Sequence, residues 1–134
     1  MKIAQFLKTI YLGDRALKSL VIDGWHSEVK VQVSCISRVR SASWDYYDAE
    51  DLPDGYLVFE GVSKIELEPP GPLPNDLIND IHVVDHDSSG TSENVVLSVD
   101  SVNAEGERIE LLIRISAKAM SLEENGKPNQ RITT

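Results

Sequence analysis

The chain reads as an α+β protein, mainly β: a curved antiparallel sheet or partly open barrel of about six strands with an N-terminal helix packed on it. Three observations predict this. Apolar residues alternate strictly with polar ones at Val29, Val31, Val33, Cys35 and again at Ile109, Leu111, Ile113, Ile115, the period of a half-buried strand. Short turn signals join most of these runs. Helical spacing occurs clearly once, at Ile3, Phe6, Leu7 and Ile10.

The first dozen residues therefore predict an amphipathic helix that Gly13 terminates. Ala16 to Asp23 is rich in branched residues and ends at Asp23-Gly24, so it pairs as a hairpin with the run from Val29 to Cys35. Tyr56 to Glu68 is a further strand with Leu57, Phe59, Ile65 and Leu67 on one face, and Gly61 in its middle predicts a bulge or coil where that face shifts. The segment Pro69-Pro70-Gly71-Pro72-Leu73-Pro74 ends it, because proline has no N–H for a ladder. Asn75-Asp76 is a cap for a short helical turn over Leu77 to Asn79. Ile81, Val83 and Val84 form a brief strand. Val95, Leu97 and Val99 lead through Asn103-Ala104-Glu105-Gly106 into the last alternating run. From Leu122 no periodicity remains, so the reading is one globular domain over 1–120 and a flexible tail over 121–134.

At 134 residues and 41% hydrophobic content the chain has the size and apolar content of one ordinary domain, so it needs neither metal nor disulfide to fold. The single Cys35 makes no intramolecular bridge and is expected as a buried, inert thiol in a reducing compartment. No run approaches the roughly 20 apolar residues of a membrane span. The first residues lack the pattern of a signal peptide, which sets the expectation of a cytoplasmic protein.

Charge is distributed unevenly. Ser41 to Glu107 contains one basic residue, Lys64, against sixteen carboxylates, whereas the two flanks are net basic and the whole chain stands at −9. Such a segment repels phosphate and attracts cationic surfaces. The expected partner is a basic protein, with no nucleic acid and no membrane among the partners. Arg38 and Arg40 beside Trp44, Tyr46 and Tyr47 form a basic and aromatic mixture that could stack bases, but the acids among them cancel phosphate attraction.

The loop Ser41 to Asp54 carries the candidate binding residues Trp44, Asp45, Tyr46, Tyr47, Asp48, Glu50 and Asp51. Aromatics anchor interfaces and the acids among them pair with Lys or Arg of a partner. The plainer alternative has Trp44 and Tyr47 capping the end of the sheet. His82-Val-Val-Asp-His86-Asp is the one metal-like cluster, but on a strand its imidazoles stand about 13 Å apart, too far for one ion. No cofactor or metal is expected. No Gly-x-Ser-x-Gly elbow or Gly-rich phosphate loop occurs, and acid pairs such as Glu66/Glu68 are ordinary in an acidic β protein.

The strings Phe6 to Arg15 with its Tyr-Leu-Gly-Asp-Arg, Ile22-Asp23-Gly24-Trp25, Ile36 to Arg40, Gly55 to Val62 with its Phe-Glu-Gly-Val, and Pro74-Asn75-Asp76 resemble a family of small bacterial proteins of no assigned function. The resemblance spans roughly residues 6 to 85 and transfers no site residue. In character such small acidic proteins are also similar to immunity proteins encoded beside secreted toxins. The leading expectation is thus a non-catalytic cytoplasmic binding protein that engages a basic partner, in the manner of an immunity protein neutralising a toxin. The alternative is a small β-barrel enzyme or ligand-binding domain with a pocket on the concave sheet face. A homo-oligomer is a third, since an open sheet has edges to cover.

Overall fold

Where apolar residues alternate along the chain, strands form and their apolar sides turn the same way. A computed structural model describes residues 1–39 and 50–134. In chain order the elements are α1 (Ile3–Leu7), β1 (Ile10–Tyr11), β2 (Leu17–Asp23), β3 (Glu28–Val33), β4 (Cys35–Arg38), β5 (Leu52–Pro53), β6 (Tyr56–Glu60), β7 (Lys64–Glu68), β8 (Ile78–His86), β9 (Glu93–Val102), β10 (Arg108–Ala117), β11 (Ala119–Glu123) and β12 (Arg131–Ile132). All pairings are antiparallel.

Among the described residues the expected single six-stranded sheet is instead three sheets, ordered β1-β4-β5, β7-β10-β9-β8 and β12-β11-β6-β3-β2, and no barrel closes. The reason lies at two bends. The run expected as one strand from Tyr56 to Glu68 breaks at Gly61, which has φ +61, so β6 belongs to one large sheet and β7 to the other. Its neighbour bends alongside it at Lys118, between β10 and β11. Strands that switch sheets at a bend make the corner between two packed sheets. A lone bridge, Ala16 to Leu77, touches β2's sheet to the start of β8 but does not continue into a ladder.

The core fills the space between the two large sheets. Val29, Val31, Leu57, Phe59 and Leu122 meet Val95, Leu97, Val99, Ile113 and Ile115, all at most 1% exposed. These are the alternating positions, so the predicted faces of β3, β9 and β10 are correct there. Helix α1 adds Ile3 and Phe6 and packs against β8 and β11. Its start is tied to β9 because the Ile3 N–H donates to the buried Glu93 carboxylate at 2.6 Å.

Other expectations are corrected. The helix covers five residues rather than a dozen: Thr9 donates its hydroxyl to the Phe6 carbonyl at 2.7 Å, and Ile10 and Tyr11 pair with Arg38 and Ser37. Leu77 to Asn79 is no helical turn, because Ile78 begins a nine-residue strand whose ladder to β9 outweighs the local cap signal. A register irregularity between Val83 and Asp85 leaves Val84 exposed. Ile109 is 42% exposed because the start of β10 overhangs the core, and Cys35 is only half-buried at the start of β4. The boundary at 120 also moves. Ser121, Leu122 and Glu123 complete β11, which pairs with β6, and Arg131–Ile132 pairs with β11 as an edge strand.

No helix among the described residues is long and apolar enough to cross a membrane.

Candidate functional site

Of the predicted binding loop, Trp44, Asp45, Tyr46, Tyr47 and Asp48 lie outside the described residues. Its far end is built into the fold. Glu50 is exposed, while Leu52–Pro53 pairs with β4 and Asp54 holds Lys18 at 2.6 Å. Asp51 stands beside Cys35. Burial, and next the charge of Asp51, push the Cys35 thiol above its ordinary range, against an opposing pull from Arg15. The thiolate is therefore disfavoured there. Arg38, one of the two basic residues next to the aromatics, is 2% exposed; its guanidinium donates to the Thr134 carbonyl at 2.8 Å and lies 5.8 Å from the Phe6 ring centre.

The acids gather on the outer side of the β7-β10-β9-β8 sheet, where polar residues alternate with the core positions. Cations on that side already have local carboxylate partners. Arg114 lies 3.1 Å from Glu68 and 4.0 Å from Glu66, Lys64 is 3.9 Å from Glu66, and Arg108 is held between Asp76 and Asp100. Hydrogen bonds from Asn79 and then from Arg108 hold the Asp100 carboxyl below the usual carboxylate range. Glu105, Glu107 and Glu110 at the β9–β10 hairpin are exposed and have no basic partner among the described residues. The surface charge on this side is thus negative after its own cations are counted.

The two histidines of the metal-like cluster do not converge. His82 Nδ1 lies 2.6 Å from Asp80 and His86 Nδ1 lies 3.0 Å from the Asp87 carbonyl, and both rings are on the exposed side of β8. Among the described residues no group of three or more His, Cys, Asp or Glu is placed to hold a metal ion. Asp87 accepts from the Ser92 N–H, the Ser89 hydroxyl and the Thr91 N–H, which shapes the loop before β9 and, through Ser92 first, lowers its carboxyl pKa.

A feature that sequence reasoning passed over stands at the β2–β3 hairpin tip. Trp25 is 91% exposed, and Ile22 beside it is 55% exposed. A large indole left in water costs solvation that a partner would recover, and Trp leads the residues that anchor interfaces. Acids flank it. Asp23 lies 2.8 Å from His26 Nδ1 and its carboxyl pKa is lowered, first by the His26 backbone N–H; Glu28 follows across the turn. The signal was present in the string Asp-Gly-Trp-His, but a turn aromatic can equally fold back on the core. Only its exposure separates the two cases.

Two grooves border this hairpin. One, about 260 Å³, is floored by Ile22, Val29, Val62 and Ile65; the other, about 250 Å³, by Val21, Asp23, His26, Glu28, Lys30 and Arg131. A third, about 300 Å³, lies on the acidic side between Glu66, Arg114, Asn94 and Asp85. All open outward, while apolar side chains occupy the concave space between the sheets.

The model of a family of unknown function, DUF6258, matches residues 1–134, a longer span than the strings that carried the resemblance. No curated protein and no solved structure matches the chain.

Proposed function

The chain belongs to DUF6258, a family of unknown function, and on that premise we propose that it is a non-catalytic binding protein whose acidic surface engages a basic protein partner. The observation that supports this reading is the state of the cations. Lys64, Arg108 and Arg114 are each held by carboxylates of the acidic side, so among the described residues Glu105, Glu107 and Glu110 have no basic partner and their field reaches solvent. A field of one sign steers a partner of the other sign and fixes its orientation. A cationic enzyme that handles phosphate, such as a nuclease, presents a cleft complementary to carboxylates, and blocking it is what an immunity protein does. The exposed Trp25 supplies the apolar anchor that charge alone lacks. We place the site of action in the cytoplasm.

The test is affinity capture from the native organism at low and high salt, followed by kinetics with the identified partner produced alone. The reading expects a basic protein whose association rate falls steeply as salt rises. An acidic partner with salt-independent association, or turnover of a small substrate by the purified chain, overturns it.

A further inference from the structure

Among the described residues, antiparallel register identifies one edge that is both open and apolar. There β2 ends its sheet and pairs with β3. Val33 donates its N–H to the Gly55 carbonyl at 2.9 Å, so by alternation the backbone groups of Val31 and Val29 face β6. Those of their β2 partners, Leu20 and Ile22, face outward. Leu17 uses its outward N–H on the Asp76 carbonyl at 2.9 Å. Beyond that point, among the described residues, no backbone group pairs with the outer flank of β2. The segment that would continue the pairing runs back from Asp76 into Pro74 and Pro72, which have no N–H to give.

Natural sheets protect such edges with charges, bulges or covering elements. β7 carries Lys64, Glu66 and Glu68, β8 is flanked by α1, and β12 is two residues long. β2 has its bulge and its lysine only at the start, next to the Asp76 contact. From Leu20 to Asp23 it presents exposed Val21 and Ile22 and then, in the turn, Trp25.

We infer that the outer edge of β2 is a strand-addition site that takes an extended segment of a basic protein, with the indole of Trp25 packed over it. The inference rests on the reading of a basic partner given above and supplies its mode of attachment. Main-chain hydrogen bonds to Leu20 and Ile22 give register, and alternate side chains of the added strand reach the grooves on either side of the hairpin. Charge decides the occupant. Asp23 stands at the end of the edge, with Glu28 across the turn held by Arg131, and a second copy of the chain would bring another −9 against the first, whereas a cationic segment is attracted.

The test uses the full chain, labelled with nitrogen-15, and three short fluorescein-labelled peptides: Lys alternating with Val, the same with a central proline, and Glu alternating with Val. The Lys/Val peptide is expected to bind, to protect the Leu20 and Ile22 amides from hydrogen exchange, and to bind Trp25→Ala about tenfold more weakly. The proline-bearing peptide, equal in charge, is expected to bind far less. Binding of the Lys/Val peptide without protection of those amides, or equal binding of the proline form, overturns strand addition while leaving the basic-partner reading in place. Binding of the Glu/Val peptide as tight as that of Lys/Val overturns both. Self-association of the free chain with the Leu20 and Ile22 amides protected assigns the edge to a second copy and also overturns the inference, as does the absence of any binding.

Discussion

Lys118 closes over Gly61 at the corner between the two large sheets: a Cβ on Gly61 would stand 3.0 Å from the Cβ, Cγ and Cδ of Lys118. The Lys118 N–H also donates to the Glu60 carbonyl at 2.9 Å, so the two bent strands stay paired through the turn. Gly61 has φ +61, a conformation that costs a residue with a Cβ about 1 kcal/mol. Gly61→Ala is therefore expected to lower stability by about 1 to 2 kcal/mol in urea unfolding. In a Lys118→Ala background the contacts with Cγ and Cδ disappear while the close approach to Cβ and the backbone part remain, so the loss should be smaller. A neutral effect in both backgrounds would show that the corner does not need glycine.

Leu111 and Ile109 sit on the same strand two residues apart, yet one is fully buried and the other 42% exposed. Leu111→Ala should cost about 2 to 5 kcal/mol through the cavity it leaves, and Ile109→Ala well under 1 kcal/mol. Equal losses would place the end of the core at the wrong residue.

That pair also marks how far the alternating pattern carries. Period-2 sequence identifies a strand and its face, which is why the β2–β3 and β9–β10 hairpins and the faces of Val31, Leu97 and Ile113 were legible. It is silent on where a strand outruns the layer it packs against, hence Ile109. The small sheet was not legible for a different reason. Ile10–Tyr11 and Leu52–Pro53 are too short to show any period, and they are strands only because Arg38 and Ile36 present a partner. Gly61 announced a disturbance but not a change of sheet, since that depends on Lys118 bending in step. At the candidate site the acids were legible as composition, whereas the exposure of Trp25 and the open flank of Leu20 and Ile22 depend on what does not pack there.

Acid should weaken the hairpin that Asp100 anchors. Its folded pKa is lowered by Asn79 and Arg108, so its contribution is present above the unfolded value of about 3.9 and is lost as pH falls through the folded value. Asp23 and Asp87 are lowered too and act in the same direction. The urea midpoint is expected to drop below about pH 4. Asp100→Asn should be less stable than the parent at neutral pH and lose less on acidification. Parallel curves for the two proteins would remove Asp100 from the account.

Cys35 is predicted to be a slow thiol. Burial and then Asp51 raise its pKa, so alkylation by iodoacetamide should be slower than that of a free thiol at neutral pH and keep rising above about pH 9. Asp51→Asn removes one of the two raising influences and should speed the reaction. Unchanged rates would show that access, not thiolate fraction, limits it.

Glu123 is 4% exposed, and its carboxylate lies 3.2 Å from Lys30 Nζ and 3.0 Å from Arg131 Nε, with Arg131 also 3.4 Å from Glu28. The network joins β3, β11 and β12, and it adds to the main-chain pairing of β12 and to the Arg38–Thr134 hydrogen bond in holding residues beyond 123. Removing the central carboxylate leaves Lys30, mostly buried, without its counterion and Arg131 with Glu28 alone. In a fully buried pair that loss is about 3 to 5 kcal/mol; because both cations keep some contact with water, Glu123→Gln should cost about 1 to 3 kcal/mol. Replacing Lys30 by Met instead leaves Glu123 paired with Arg131 and should cost less. Hydrogen exchange separates this from a general loss of stability: in Glu123→Gln the amides of Arg131 and Ile132 should lose protection at a denaturant concentration where Leu57 and Leu122 keep theirs. If β12 stays protected in the variant, main-chain pairing alone holds the end of the chain and the ion network is incidental to it.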